Sequence, residues 1–168
     1  MTLPFAALAA LIAPVIETAI LAELPLAGAT ADLVLVCGAV AMVVMGIEDG
    51  LLIGFIGGLL IDMLVPGRPL GATTLALLLT LGIAFLVVRT VGLGPGRKAM
   101  AVGLVIVLTA IFHVLFAIIM VPTAEVPFEI DLAVILVTAV LNALIAIPIA
   151  VLFGAIERRF GPGERVDY

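Results

Sequence analysis

The chain has 168 residues, of which 65% are hydrophobic and 11% charged, with seven Lys and Arg against twelve Asp and Glu and a formal charge of −5. Soluble domains run at about 45–50% apolar and about 25% charged residues, so these few charges cannot solvate a water-soluble globule. The composition also excludes a basic nucleic-acid binder, a disordered acidic tail and, with Cys37 the single cysteine, a disulfide scaffold. An integral membrane protein built almost entirely of helical spans is expected, forming a single transmembrane domain over residues 1–168.

Charges and Pro/Gly clusters divide the chain into six apolar stretches: about 3–22, 33–47, 51–65, 70–88, 99–121 and 132–156. The first starts Met-Thr-Leu-Pro without a basic residue, and apolar sequence continues far beyond it. It is therefore expected to be a retained span and not a cleaved signal peptide. It contains Pro14 and Glu17. The second begins after Asp32 and is short for a crossing, since a helix needs about 20 residues to traverse the hydrocarbon core. The third is equally short. The reading taken is two short spans joined by a turn at Glu48-Asp49-Gly50, because two adjacent carboxylates need water; the competing reading is a re-entrant hairpin.

The third stretch holds the most specific spacing. Gly46, Gly50, Gly54, Gly58 and Asp62 recur every four residues, with Gly57 alongside. Such a period puts small residues on one helix face, where a neighbouring backbone approaches closely, either within the bundle or on a partner's membrane helix. Asp62 ends the stripe. A carboxylate at that depth must be near water, paired or protonated. It is expected to close its helix and fix the following loop, with Arg68 folding back to it across Pro66-Gly67. Glu17 falls near the same side and is expected to share a polar cluster with Asp62.

The fifth stretch contains His113, expected to hydrogen-bond a neighbouring helix, and no second histidine accompanies it as a metal ligand. The sixth contains Asn142, read as interhelical glue, and Pro148, read as a kink. Cys37 reads as a small packing residue. Gly92-Leu93-Gly94-Pro95-Gly96 follows a span and lacks the strand context of a phosphate cradle. No nucleophile–base pair stands out, so no catalysis, cofactor or metal is expected.

Basic residues set the expected orientation. With six spans and a cytoplasmic N-terminus, Arg89, Arg97, Lys98, Arg158, Arg159 and Arg165 fall in cytoplasmic segments and only Arg68 falls outside. That asymmetry follows the positive-inside rule, and both termini are expected in the cytoplasm. The acidic residues Glu23, Asp32, Glu125, Glu129 and Asp131 fall on the outer side.

The run from Gly50 through Leu51-Leu52-Ile53-Gly54-Phe55-Ile56-Gly57-Gly58-Leu59-Leu60-Ile61 to Asp62-Met63-Leu64, then Leu70-Gly71 and a leucine-rich start to the next span, resembles the rod shape-determining MreD family. Glu17 in the first span and the basic Arg158-Arg159 near the C-terminus fit that resemblance. Two places depart from it. The start of the second stretch reads Ala31-Asp32-Leu33 without the family's proline, and the fourth reads Gly82-Ile83 where many members have Gly-Tyr. The resemblance implies a non-enzymatic adaptor in the bacterial inner membrane that binds MreC. It would link RodA, the elongation transpeptidase and, indirectly, the MreB filament. It also implies a six-helix fold similar to the S-components of energy-coupling-factor vitamin transporters, and such an S-component is the rival function. Glu17, Asp32, Asp62 and the Glu125–Asp131 segment would then line a ligand pocket, although no Trp and only Tyr168 accompany eight Phe for ring stacking.

Overall fold

The computed structural model of the protein describes residues 2–91, 96–121 and 131–161. Six α-helices follow one another: α1 (Leu3–Ala19), α2 (Leu33–Val44), α3 (Ile47–Leu64), α4 (Ala72–Val91), α5 (Arg97–Met120) and α6 (Leu132–Phe160), with a 3-10 turn at Leu21–Glu23 after α1. Among the described residues there is no strand, only an isolated bridge between Leu26 and Ala29. Four of the helical segments are long and apolar enough to cross a membrane: α1 with its following turn, α4, α5 and α6. Their outward surfaces are Leu, Ile, Val and Phe, as at Leu8, Leu79, Ile106 and Val140. The protein is an all-helical membrane bundle.

The helices alternate in direction. The start of α1 meets the start of α3 through Thr2 and Asp49, and it meets the end of α6 through the Phe5 and Phe160 rings, 4.9 Å apart. The start of α5 meets the end of α6 through an Arg97–Glu157 ion pair at 2.7 Å. This is the proximal end of the bundle, and Arg89, Lys98, Arg158 and Arg159 lie there too. The distal end holds the starts of α4 and α6 and the ends of α1, α3 and α5.

The hub is α2. It spans 12 residues, about 18 Å at helical rise, against a hydrocarbon core of about 30 Å. Every residue from Val34 to Val44 is buried, and α2 touches all five other helices. A helix that is apolar on all sides belongs inside a bundle and not at a lipid boundary. Its shortness is possible because lipid never touches it.

The boundaries of the second and third stretches differ from the sequence reading. The helix α2 stops at Val44, the chain reverses through Met45-Gly46, and Glu48 and Asp49 lie in the first turn of α3 instead of in a loop. Gly46 is the N-cap, outside the helix. Carboxylates in a first turn are favoured by the exposed N–H groups and dipole there. Glu48 remains exposed, whereas Asp49 is buried and its Oδ2 accepts the Thr2 hydroxyl at 2.7 Å.

Candidate functional site

The internal polar groups converge on helix beginnings. Asp32, the residue before α2, lies beside Asn142, ten residues into α6 and therefore about 15 Å from where α6 starts. The first N–H groups of α2 thus open beside the body of α6, in a partly buried position. A helix leaves its first four N–H groups without partners of its own, and in a membrane each unmet group costs several kcal/mol. Side chains from three other helices surround this start. Asn142 Oδ1 accepts the Asp32 N–H at 2.8 Å, and Glu17 Oε2 from α1 accepts the Val34 N–H at 2.8 Å. Val36 N–H closes the first turn onto the Asp32 carbonyl.

The same asparagine holds the carboxylate. Its Nδ2 donates to Asp32 Oδ2 at 3.0 Å and to Thr109 Oγ1 of α5 at 2.9 Å, while the Thr109 hydroxyl donates to the Val105 carbonyl at 2.8 Å. Both amide hydrogens and the amide oxygen are engaged. His113 completes the cluster from one turn further along α5. Its Nδ1 bonds the Thr109 carbonyl of its own helix at 2.9 Å, not a neighbouring helix, and lies 3.9 Å from Asp32 Oδ2. Thr138, one turn before Asn142 on α6, is buried and its hydroxyl oxygen has no partner among the described residues. The sequence reading missed Thr109 and the pairing of Asp32 with Asn142. The available signal was Thr109 four residues before His113, on the same helix face.

A second cluster lies at the start of α4. Asp62, in the last turn of α3, accepts from Gly71 N at 3.0 Å, Thr73 N at 2.9 Å, Thr74 N at 3.2 Å and the Thr74 hydroxyl at 3.0 Å. Ala72 N–H donates to the Pro69 carbonyl and Leu75 N–H to the Gly71 carbonyl. Each N–H from Gly71 to Leu75 therefore has an acceptor. Asp62 is an N-cap delivered from the preceding helix, with a negative charge at the positive end of α4. Gly71 has φ +93° and open space around its missing Cβ. It is needed for its backbone conformation and not for room.

Two expectations about Asp62 are corrected here. Arg68 does not fold back onto its carboxylate: it donates to Thr73 Oγ1 at 3.3 Å and stands over the Phe116 ring, 5.0 Å from its centroid. Four N–H and O–H donors already fill the carboxylate, so the guanidinium finds its partners on the far side of Thr73. Glu17 does not share the Asp62 cluster either, because its oxygen is bound at the start of α2. At α6 the cap is local: Asp131, the residue before the helix, accepts from Ala133 N and Val134 N.

The glycines of α3 face their own bundle. A Cβ on Gly50 would lie 2.6 Å from Met42 Cβ and 2.7 Å from the Gly38 carbonyl oxygen of α2. On Gly58 it would lie 2.8 Å from Thr74 Cα of α4, and on Gly57 2.6 Å from Val34 Cγ1 of α2. On Gly54 it would meet only the end of the Leu81 side chain. Gly50 and Gly58 thus let two different backbones close on α3, which packs against α1, α2 and α4. The outward face of α3 carries Phe55, Leu59 and Met63 instead.

Cys37 is buried in the apolar core. Among the described residues no group of three or more His, Cys, Asp and Glu side chains is placed to hold a metal ion. Residues 92–95 of the Gly-rich turn, Glu125 and Glu129 of the acidic outer segment, Arg165 and Tyr168 lie outside the described residues. Comparison with known protein families, curated proteins and solved structures finds no match to this chain.

Proposed function

We propose that the protein is a non-enzymatic membrane adaptor of a bacterial cell-wall elongation complex, similar to the MreD family. In this reading it lies in the inner membrane with both termini in the cytoplasm, binds MreC, and brings RodA and the elongation transpeptidase together with the MreB filament. Its family resemblance rests on the segment from Gly50 to Gly71, which forms α3 and the turn into α4.

The observation that carries the adaptor reading over the S-component is the engagement of the acidic side chains. Glu17, Asp32 and Asp62, which would contact a polar ligand, each bond the chain's own backbone N–H groups or side chains. A ligand would have to displace bonds that hold the starts of α2 and α4. An adaptor needs no such opening. It presents a rigid apolar exterior to partner helices, and the clustering of basic residues at the proximal end supports placing that end in the cytoplasm.

The test is mild-detergent co-purification of the tagged protein from its native membranes, with identification of the proteins recovered. MreC together with RodA or the elongation transpeptidase is expected. Recovery of a coupling membrane protein with paired ATPases, and of no wall-synthesis protein, would replace the adaptor with the S-component.

A further inference from the structure

The outward face between α5 and α6 carries a groove of about 350 Å³ lined by Lys98, Ala99 and Val102 of α5 and Ile147, Ala150 and Val151 of α6. Its body is apolar and exposed where it would face lipid, with Ile147 and Val151 about half exposed. Its proximal mouth is cationic. A Cβ on Gly154 would lie 2.7 Å from Lys98 Cε, 3.0 Å from Lys98 Nζ and 3.8 Å from an Arg158 guanidinium nitrogen. The lysine therefore lies across α6 over a residue without a side chain, and its ammonium and the Arg158 guanidinium sit side by side.

Neither cation has a carboxylate within ion-pair distance among the described residues, because the nearby Glu157 is taken by Arg97. Two adjacent like charges repel, and leaving them together at the end of two spans favours an anion between them. The groove runs from this mouth toward the middle of the bundle. On α6 the groove lining runs from Val151 back to Ile147, and Arg158 lies seven residues beyond Val151, about 10 Å along the helix.

We infer that this face is a binding site for an anionic phospholipid of the surrounding bilayer, with its phosphate between Lys98 and Arg158 and one acyl chain along the groove. Charge complementarity selects the headgroup, and the apolar lining accepts the chain. The site lies away from the Asp32 and Asp62 clusters, and it does not depend on the adaptor reading.

The experiment is native mass spectrometry of the full chain in detergent, with phosphatidylglycerol and phosphatidylcholine of identical acyl chains supplied in turn. Preferential retention of phosphatidylglycerol is expected. A basic residue near an anionic lipid surface contributes enough that Lys98→Gln or Arg158→Gln should each weaken retention about fivefold, and the two together about thirtyfold. Val151→Trp, at an exposed position, should lower retention of both lipids with the headgroup preference intact. Equal retention of the two lipids, or a double variant that binds like the original, would overturn the site. So would a Val151→Trp variant that retains lipid unchanged, since charge alone would then suffice. Helical circular dichroism of each variant separates lost binding from lost folding.

Discussion

Replacing Asn142 by Leu removes an amide of similar size that reaches three acceptors and donors around the start of α2. Three bonds go: those to Asp32 N, to Asp32 Oδ2 and to Thr109 Oγ1. Side-chain hydrogen bonds between membrane helices average about 0.6 kcal/mol, so the bonds alone account for about 2 kcal/mol. The larger effect is what remains behind. The Asp32 N–H is left without an acceptor, at about 1–3 kcal/mol, and its partly buried carboxylate loses its Asn142 donor. A total loss of about 3–5 kcal/mol is expected, comparable to breaking a buried pair by removing one partner. The assay is reversible unfolding in mixed micelles, followed by far-ultraviolet circular dichroism. Thr109→Val supplies the comparison, because it removes two bonds, to Asn142 Nδ2 and to the Val105 carbonyl, but leaves the Asp32 N–H its acceptor. That variant should lose about 1 kcal/mol, and the double variant should fall short of the sum by about 0.6 kcal/mol. A loss below about 0.5 kcal/mol for Asn142→Leu would refute the idea that this side chain holds the start of α2.

Other outcomes follow from the same geometry. Gly58→Ala and Gly50→Ala force a Cβ against backbone or Cβ atoms and should each destabilise by about 2–3 kcal/mol, whereas Gly54→Ala meets a flexible Leu81 terminus. With a helix-propensity gain of about 1 kcal/mol, Gly54→Ala should be near neutral, and equal thermal melting shifts across the three would be inconsistent with the packing described. Asp62→Ala removes the acceptor of four donors and should destabilise by about 2–4 kcal/mol. Amide exchange should rise first at Gly71, Thr73 and Thr74; protection unchanged there would dismiss the capping role. Thr138→Val removes a buried hydroxyl that has no partner among the described residues, so melting should hold or rise by up to about 1 kcal/mol in stability. A drop of more than about 1 kcal/mol would mean the hydroxyl is bonded after all.

The number of helices and their order are legible because Pro, Gly and charge divide the sequence into six apolar stretches, four of which form segments long enough to span a membrane. The glycine period of α3 is also legible, but not which glycines matter. That depends on whether backbone or a flexible side chain lies opposite, as at Gly58 and Gly54. The sequence puts Glu48 and Asp49 in a turn because isolated carboxylates demand water, and the cover that Thr2 gives Asp49 comes from 47 residues away. The polar site was visible as single residues and not as a constellation. Asn142 and Asp32 are 110 residues apart, and nothing local reveals that α2 starts beside the middle of α6. Once it does, Glu17, Asn142 and Thr109 have one physical explanation: they supply a helix start inside the bundle with its hydrogen-bond partners.

The packing of the α3 glycines also decides where a partner can bind. Gly50, Gly54, Gly57 and Gly58 are all buried, which leaves the outward faces for any partner helix. Site-specific photo-crosslinking in native membranes reads this out, with the probe placed in turn at Leu8, Phe55, Leu79, Ile106 and Val140, one exposed position on each of the five peripheral helices. Adducts with a wall-elongation protein from one or two adjacent positions are predicted. Adducts with a coupling protein, or none from any of the five in cells where the protein is abundant and folded, would contradict the adaptor.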